Sequence, residues 1–196
     1  DWVLDEVLRE MQAWQKEGLK VGKFAINFSG RQIEQKDFVD KIIKALKKYR
    51  TPKNSLEIEV TESVLMRDVE YTIAKFKQLH DVGVNLAIDD FGTGYSSLSL
   101  LQKLPLNRLK IDRSFIQDME HGTDRSIIEA IAHMAKGLEL EMIAEGVEQE
   151  YQLRFLRQLQ CPIVQGFIFS HGVPSAEAKK FVLATDAMLK QQKLKA

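Results

Sequence analysis

Apolar residues recur at helical spacing through the opening of the chain: Val3, Leu4, Val7, Leu8, Met11 and Trp14, with Gly18 as a stop. Trp2 and Trp14 read as packing residues of this helix. The pattern then changes. "GKFAINFSG" reads as a strand, and Phe38, Ile42, Ile43 and Leu46 restore the helical period. In "SLEIEVTES" Leu56, Ile58 and Val60 alternate with Glu57 and Glu59, which predicts a strand with two unlike faces. A helix over 67–81 and the strand "VNLAIDD" follow. A short helix carries Leu98, Leu100 and Leu101, and "NRLKID" is the next strand. The helix "RSIIEAIAHMAKGL", the strand "ELEMIAEG", the helix "EYQLRFLRQLQ", the short run "CPIVQGFIFS" and a helix over 175–190 complete the chain.

One helix followed by about six strand–helix units implies an α/β protein with parallel strands and outer helices. A doubly wound open sheet and a closed (β/α)8 TIM-like barrel both satisfy that alternation. Polar residues stand at or near the C-terminal end of every strand: Asn27, Glu59, Asp89 with Asp90, Lys110, Glu145 and Gln165. A barrel opens all those ends on one face, where active sites sit, whereas an open sheet spreads them along an edge. The barrel is therefore the expected fold. It is expected to lack its opening strand–helix–strand segment, because a full barrel takes eight units and about 250 residues. No linker, repeat or low-complexity tract interrupts the chain, so residues 1–196 are read as a single domain.

The 196 residues are 44% hydrophobic and 29% charged, enough for a sizeable core. Lys plus Arg number 28 and Asp plus Glu 28, so net charge offers no reason for bulk nucleic-acid or membrane-surface binding. The single cysteine, Cys161, reads as a small buried hydrophobe and fits a reducing compartment. No apolar run approaches the roughly 18 residues of a membrane span. The expected location is cytoplasmic, as a free protein or as the cytoplasmic part of a membrane protein.

Chemistry concentrates in "IDDFGTGYSS". A polar strand end with Asp90 or a following hydroxyl as a helix cap would account for an isolated Asp-Asp pair. Here Asn27, Glu59 and Glu145 end other strands, and several buried like charges are costly without a cation. Oxygen ligands without His or Cys suit Mg²⁺ or Mn²⁺, and adjacent aspartates can bridge and flank two ions. Lys110 lies in an apolar strand, either in a structural ion pair or as an ammonium that steadies water or phosphate charge. Asp112 is its partner or the cap of the next segment, and sequence leaves both open. Periodicity cannot separate Glu57 from Glu59; Glu59 is preferred because it lies nearer the C-terminal end. "FGTGYSS" reads as a mobile loop over the site, and Glu62 is placed to hold it by hydrogen bonds. The four histidines show no metal-ligand spacing and read as structural or exposed.

"INFSG", "EVTES", "DDFGTGYSSLSLLQKLPLNRLKIDRSFI", "AEGVE" and "QGF" resemble, in order, the motifs of EAL domains, bacterial phosphodiesterases of cyclic di-GMP. The resemblance implies a (β/α)8-like barrel, two Mg²⁺ or Mn²⁺ ions and hydrolysis of cyclic di-GMP to linear pGpG. It implies metal ligation by Asn27, Glu59 and Asp89, with Asp89 bridging and Asp90 on the second ion. Lys110 resembles the lysine that positions the attacking water, and Glu145 the glutamate that binds metal or its water as general base. Gln165 resembles a glutamine of the water shell, and Glu62 the anchor of the loop bearing the aspartates. That loop and the helix after it resemble the family's dimer contact, and attached sensor or GGDEF-type domains are expected in the full protein. The Glu-Ala-Leu motif, with a metal-binding glutamate and a phosphate-contacting arginine, is absent. His171-Gly172 replaces the usual basic residue and proline, and Pro162 an aspartate. Two functions therefore stand: a metal-dependent phosphodiesterase whose turnover in this fragment is in question, and a silent cyclic di-GMP-binding or protein-interaction module. A third reading is an unrelated divalent-metal barrel enzyme, such as a proton-abstracting lyase.

Overall fold

The computed structural model describes residues 2–19, 22–65, 68–94, 98–119 and 122–193. His121 and the Tyr95-Ser96-Ser97 part of the glycine-rich loop lie outside them. The elements in order are α1 (Trp2–Lys16), β1 (Phe24–Asn27), α2 (Gly30–Glu34), α3 (Phe38–Tyr49), β2 (Leu56–Thr61), α4 (Glu62–Leu65) and α5 (Val69–Asp81). Then come β3 (Asn85–Phe91), α6 (Leu98–Leu101), β4 (Arg108–Ile111), α7 (Arg113–Gln117), α8 (Gly122–Gly137), β5 (Glu141–Ala144), α9 (Glu150–Gln158), β6 (Ile163–Val164) and α10 (Ser175–Lys193).

All neighbouring strands pair in parallel, in the order β1-β2-β3-β4-β5-β6. Sequential order has no switch point, which excludes the doubly wound arrangement and is the order of a (β/α)8 barrel. The sheet is curled: side chains of β2 and β4 meet across β3, and Lys23 beside β1 comes within 3.9 Å of Glu141 on β5. The six strands form an incomplete barrel.

Alternation along each strand separates two environments. Outward residues such as Ile58, Val60, Leu86, Ile88, Leu109 and Ile111 are buried under the helices. α5 packs on β3, and α8 on β4 and β5. Phe76 and Leu79 of α5 and Ile128 and Ala135 of α8 fill that layer. Inward residues are largely charged, where most such barrels carry branched aliphatics.

Short elements escaped the periodicity. α4 and α7 span one turn or little more, too short for a 3.6-residue pattern to show. Trp14 is buried and meets Phe24 edge-on at 5.4 Å, but Trp2 is 76% exposed and is not a packing residue. It begins the first turn of α1, outside the stripe of Leu4, Leu8 and Met11 that faces the core. Cys161 is half-buried beside that core, and burial raises its thiol pKa above the ordinary value. No helix among the described residues is long and apolar enough to cross a membrane.

Candidate active site at the strand ends

The site begins with a break in the ladder. β3 and β4 run in register through Ala87↔Arg108 and Ile88↔Leu109, then resume at Phe91↔Ile111. Three steps on β3 face two on β4, a bulge at Asp89 and Asp90. Asp90 has φ 53°, in the left-handed region that aspartate tolerates better than most residues. Its N–H donates to Asp89 Oδ1 at 3.0 Å. On a regular strand the two carboxylates would point to opposite faces. With the bulge, carboxylate oxygens of Asp89, Asp90 and Glu145 lie within 4.8 Å of one another.

Lys110 stands at the centre of this face. Its Nζ is 2.6 Å from Glu59 Oε2, 3.0 Å from Asp89 Oδ1 and 2.6 Å from Glu145 Oε1. The side chain is 3% exposed. One ammonium thus joins the ends of β2, β3 and β5. Burial opposes its charge, but the hydrogen bonds it donates to Glu145 and Glu59 raise its pKa above the ordinary value. Asp112 caps α7, accepting from the Ser114 N–H at 2.9 Å. Burial opposes ionisation of Asp112, but its bonds to Ser114 lower its pKa overall.

Four carboxylates, Glu59, Asp89, Asp90 and Glu145, face one ammonium, a formal excess of three negative charges. Burial raises the pKa of Glu59, and that of Glu145, with Asp89 pushing the same way and Lys110 pulling back. Asp90 is raised by burial, then by Asp89 and Asp112. A divalent cation would relieve all of these costs at once, and an all-oxygen set fits a hard ion. The residues present can hold a metal.

The remaining candidates flank this cluster. Asn27 ends β1 in register with Glu59 and is exposed. Gln165 follows β6, donates its N–H to Ala144 O at 2.8 Å, and lines a cavity of about 180 Å³ with Glu145, Arg113 and Phe167. Glu62 is buried, and its Oε2 accepts from the N–H groups of Gly92 at 3.4 Å and Gly94 at 3.2 Å. Glu62→Ala should release those two amides. Their hydrogen exchange should accelerate at least about tenfold, since a bond to a charged group contributes about 1.5–3 kcal/mol. Unchanged exchange at both glycines would show that another group holds the loop.

One feature of the interior escaped the sequence. Glu57 and Glu59 differ by one layer: below the Lys110 cluster, Arg108 donates to Glu57 at 3.0 Å and to Glu141 at 2.6 Å. The signal was present in the two-residue steps of "EIE" and "RLK", which place like charges on one face of each strand. Which acid meets which base required the register.

Known proteins resemble this chain in sequence and in fold. The chain is 42% identical over 185 residues to the Pseudomonas aeruginosa cyclic di-GMP phosphodiesterase NbdA, covering 94% of this chain and 24% of NbdA. It is 41% identical over 178 residues to MucR of the same species, a bifunctional diguanylate cyclase/cyclic di-GMP phosphodiesterase, covering 90% and 26%. The chain thus spans about a quarter of the length of these curated relatives. Among solved structures, the PaMucR phosphodiesterase in complex with c-di-GMP superposes with a TM-score of 0.87 at 41% identity, covering 90% of this chain and 72% of that one. The EAL domain of Mycobacterium smegmatis DcpA gives 0.89 at 37% identity, covering 93% and 83%. The family model for the EAL domain matches residues 1–172, and the chain belongs to the EAL domain family.

Proposed function

We propose that this chain is a phosphodiesterase domain that hydrolyses cyclic di-GMP to linear pGpG with divalent metal ions. The observation that carries the reading is the convergence of Asp89, Asp90 and Glu145 around Lys110 at the C-terminal ends of the strands. The relatives named for this activity match over nine-tenths of the chain.

Asn27, Glu59, Asp89, Asp90 and Glu145 would hold two ions, Mg²⁺ or Mn²⁺, which supply charge stabilisation at the attacking and leaving oxygens of a phosphoester. Lys110 keeps its proton at neutral pH and orients the attacking water or the phosphate oxygens. Glu145, paired with Lys110 and close to Asp89 and Asp90, is assigned as the carboxylate that accepts a proton from that water. Gln165 donates or accepts at the rim. Glu62 anchors the start of the loop after Asp90 through Gly92 and Gly94. The reading extends to residues 1–196 as one domain, to a homodimer through that loop and α6, and to a cytoplasmic protein with sensor or GGDEF-type domains beside this one.

The test is turnover of cyclic di-GMP with Mn²⁺, followed by chromatography of the linear product. It is run on this chain and on a polypeptide extended to the length of the relatives. Asp89→Asn should lose metal binding and at least about 10³-fold of the rate while its unfolding midpoint stays close to wild type. Binding of cyclic di-GMP without any product from either polypeptide would replace the enzyme by a receptor. Unfolding of the Asp89 variant would make that carboxylate structural.

A further inference from the structure

We propose that Arg108 is a positioning residue for the metal site, acting from beneath through its clamp on Glu57 and Glu141. Lys110 lies opposite the bulge, where the β3–β4 ladder skips from Leu109 to Ile111. Backbone pairing on that side therefore does not hold the residue at the centre of the site. Two residues below it, Arg108 is the nearest residue of the same face that is registered with β3, opposite Ala87. β2 and β4 are not neighbours. Two side-chain bridges join them across β3: Lys110 to Glu59 above and Arg108 to Glu57 below.

The two bridges have different prospects. The upper one is made of groups the chemistry needs, and a cation entering among the carboxylates competes with Lys110 for Glu59. The lower one sits outside the cluster and persists. Lys23, Glu57, Arg108 and Glu141 form a layer of two cations and two anions, charge-balanced where the upper layer is not. Arg108 Nε donates to Glu141 while Nη1 donates to Glu57, so one planar group spans β2, β4 and β5. Stability does not account for this bridge. Glu57 is 1% exposed, and its Oε2 finds no donor among the described residues. A buried pair with an unsatisfied oxygen is one that apolar residues commonly replace without loss. Its effect is on shape: it sets the spacing of β2 and β4, and so of Glu59 and Lys110 one step above.

The test is Mn²⁺ affinity, read by the electron paramagnetic resonance of free Mn²⁺, in the double variant Glu57→Gln with Arg108→Gln. Removing both charges leaves no buried ion without a partner. The variant should fold with a midpoint within about 4 °C of wild type. It should bind Mn²⁺ about 10–100-fold more weakly, the usual loss when groups supporting metal ligands are removed. Arg108→Lys keeps a cation but loses the planar fork that spans both acids, so its Mn²⁺ affinity should fall between wild type and the double variant. Glu57→Leu with Arg108→Leu is the second variant and should weaken Mn²⁺ to the same extent. Wild-type Mn²⁺ affinity in either folded double variant overturns the proposal, and so does unfolding of both, which would make the bridge structural. The proposal rests on the phosphodiesterase reading only for a further readout: kcat for cyclic di-GMP should fall with KM within about twofold. A wild-type chain that binds Mn²⁺ but releases no product defeats that reading and leaves this one standing. A wild-type chain that binds no Mn²⁺ defeats both.

Discussion

Lys110→Met is expected to cost the metal-free protein about 3–5 kcal/mol, the usual penalty for stripping one partner from a buried ion pair. The ammonium is within 3.0 Å of three carboxylates at the ends of three strands, and the side chain is nearly solvent-free. Methionine keeps the length and loses the charge. Glu59, Asp89 and Glu145 would then face one another with no cation between them. Metal should reverse the loss. Urea unfolding with and without Mn²⁺ should show a larger stabilisation by the ion in the variant than in the wild type, because the ion takes over a compensation that Lys110 otherwise shares. Turnover should still be abolished, since the metal does not replace the ammonium that faces the water. Equal stability of variant and wild type without metal would show that protons, not Lys110, neutralise the acids.

Gly166→Ala is expected to be the most disruptive single methyl in the molecule's upper face. A Cβ at Gly166 would lie 2.0 Å from Val147 O and 2.4 Å from Val147 N. Both atoms belong to backbone that cannot rotate away. The Val147 N–H donates to Gln165 O, and Val147 O accepts from the Ile168 N–H. The turn after β5 and the turn after β6 are thus stitched together at the place the methyl would occupy. Overpacking commonly costs about 1–3 kcal/mol, and a clash with backbone belongs at the upper end or beyond. Glu145 and Gln165 border these two turns, so the damage should reach the site as well. Thermal unfolding together with amide exchange at Val147 and Ile168 measures both effects. A variant within about 0.5 kcal/mol of wild type would mean that the two turns part easily.

The two variants test different levels of the structure. Lys110→Met leaves the backbone alone and changes the charge within it. Gly166→Ala leaves every charge in place and moves the backbone that presents two of the candidate groups. Metal should rescue the first and not the second.

Much of this protein was legible along the chain because it is repetitive in one dimension. Strands of two to seven residues alternate with helices, and the longer elements carry their period in their own residues, so the α/β class follows from Leu56, Ile58 and Val60 or from Phe38, Ile42 and Leu46 directly. Polar residues at successive strand ends pointed to one functional rim, because a parallel barrel places all such ends on one face. The family motifs are local too, and "DDFGTGYSS" is contiguous. Three things were decided only in three dimensions. The convergence of Asp89 and Asp90 depends on the bulge and on φ at Asp90, and a bulge exists only relative to the partner strand. The roles of Glu57 and Glu59, indistinguishable by alternation, separate because the register with β3 and β4 sets one against Arg108 and the other against Lys110. Asp112 was open between partner and cap, and the turn into α7 made it a cap. Periodicity assigns a residue to a face; only strand pairing assigns it a neighbour, and charge interactions fall off too steeply with distance for the face alone to decide them.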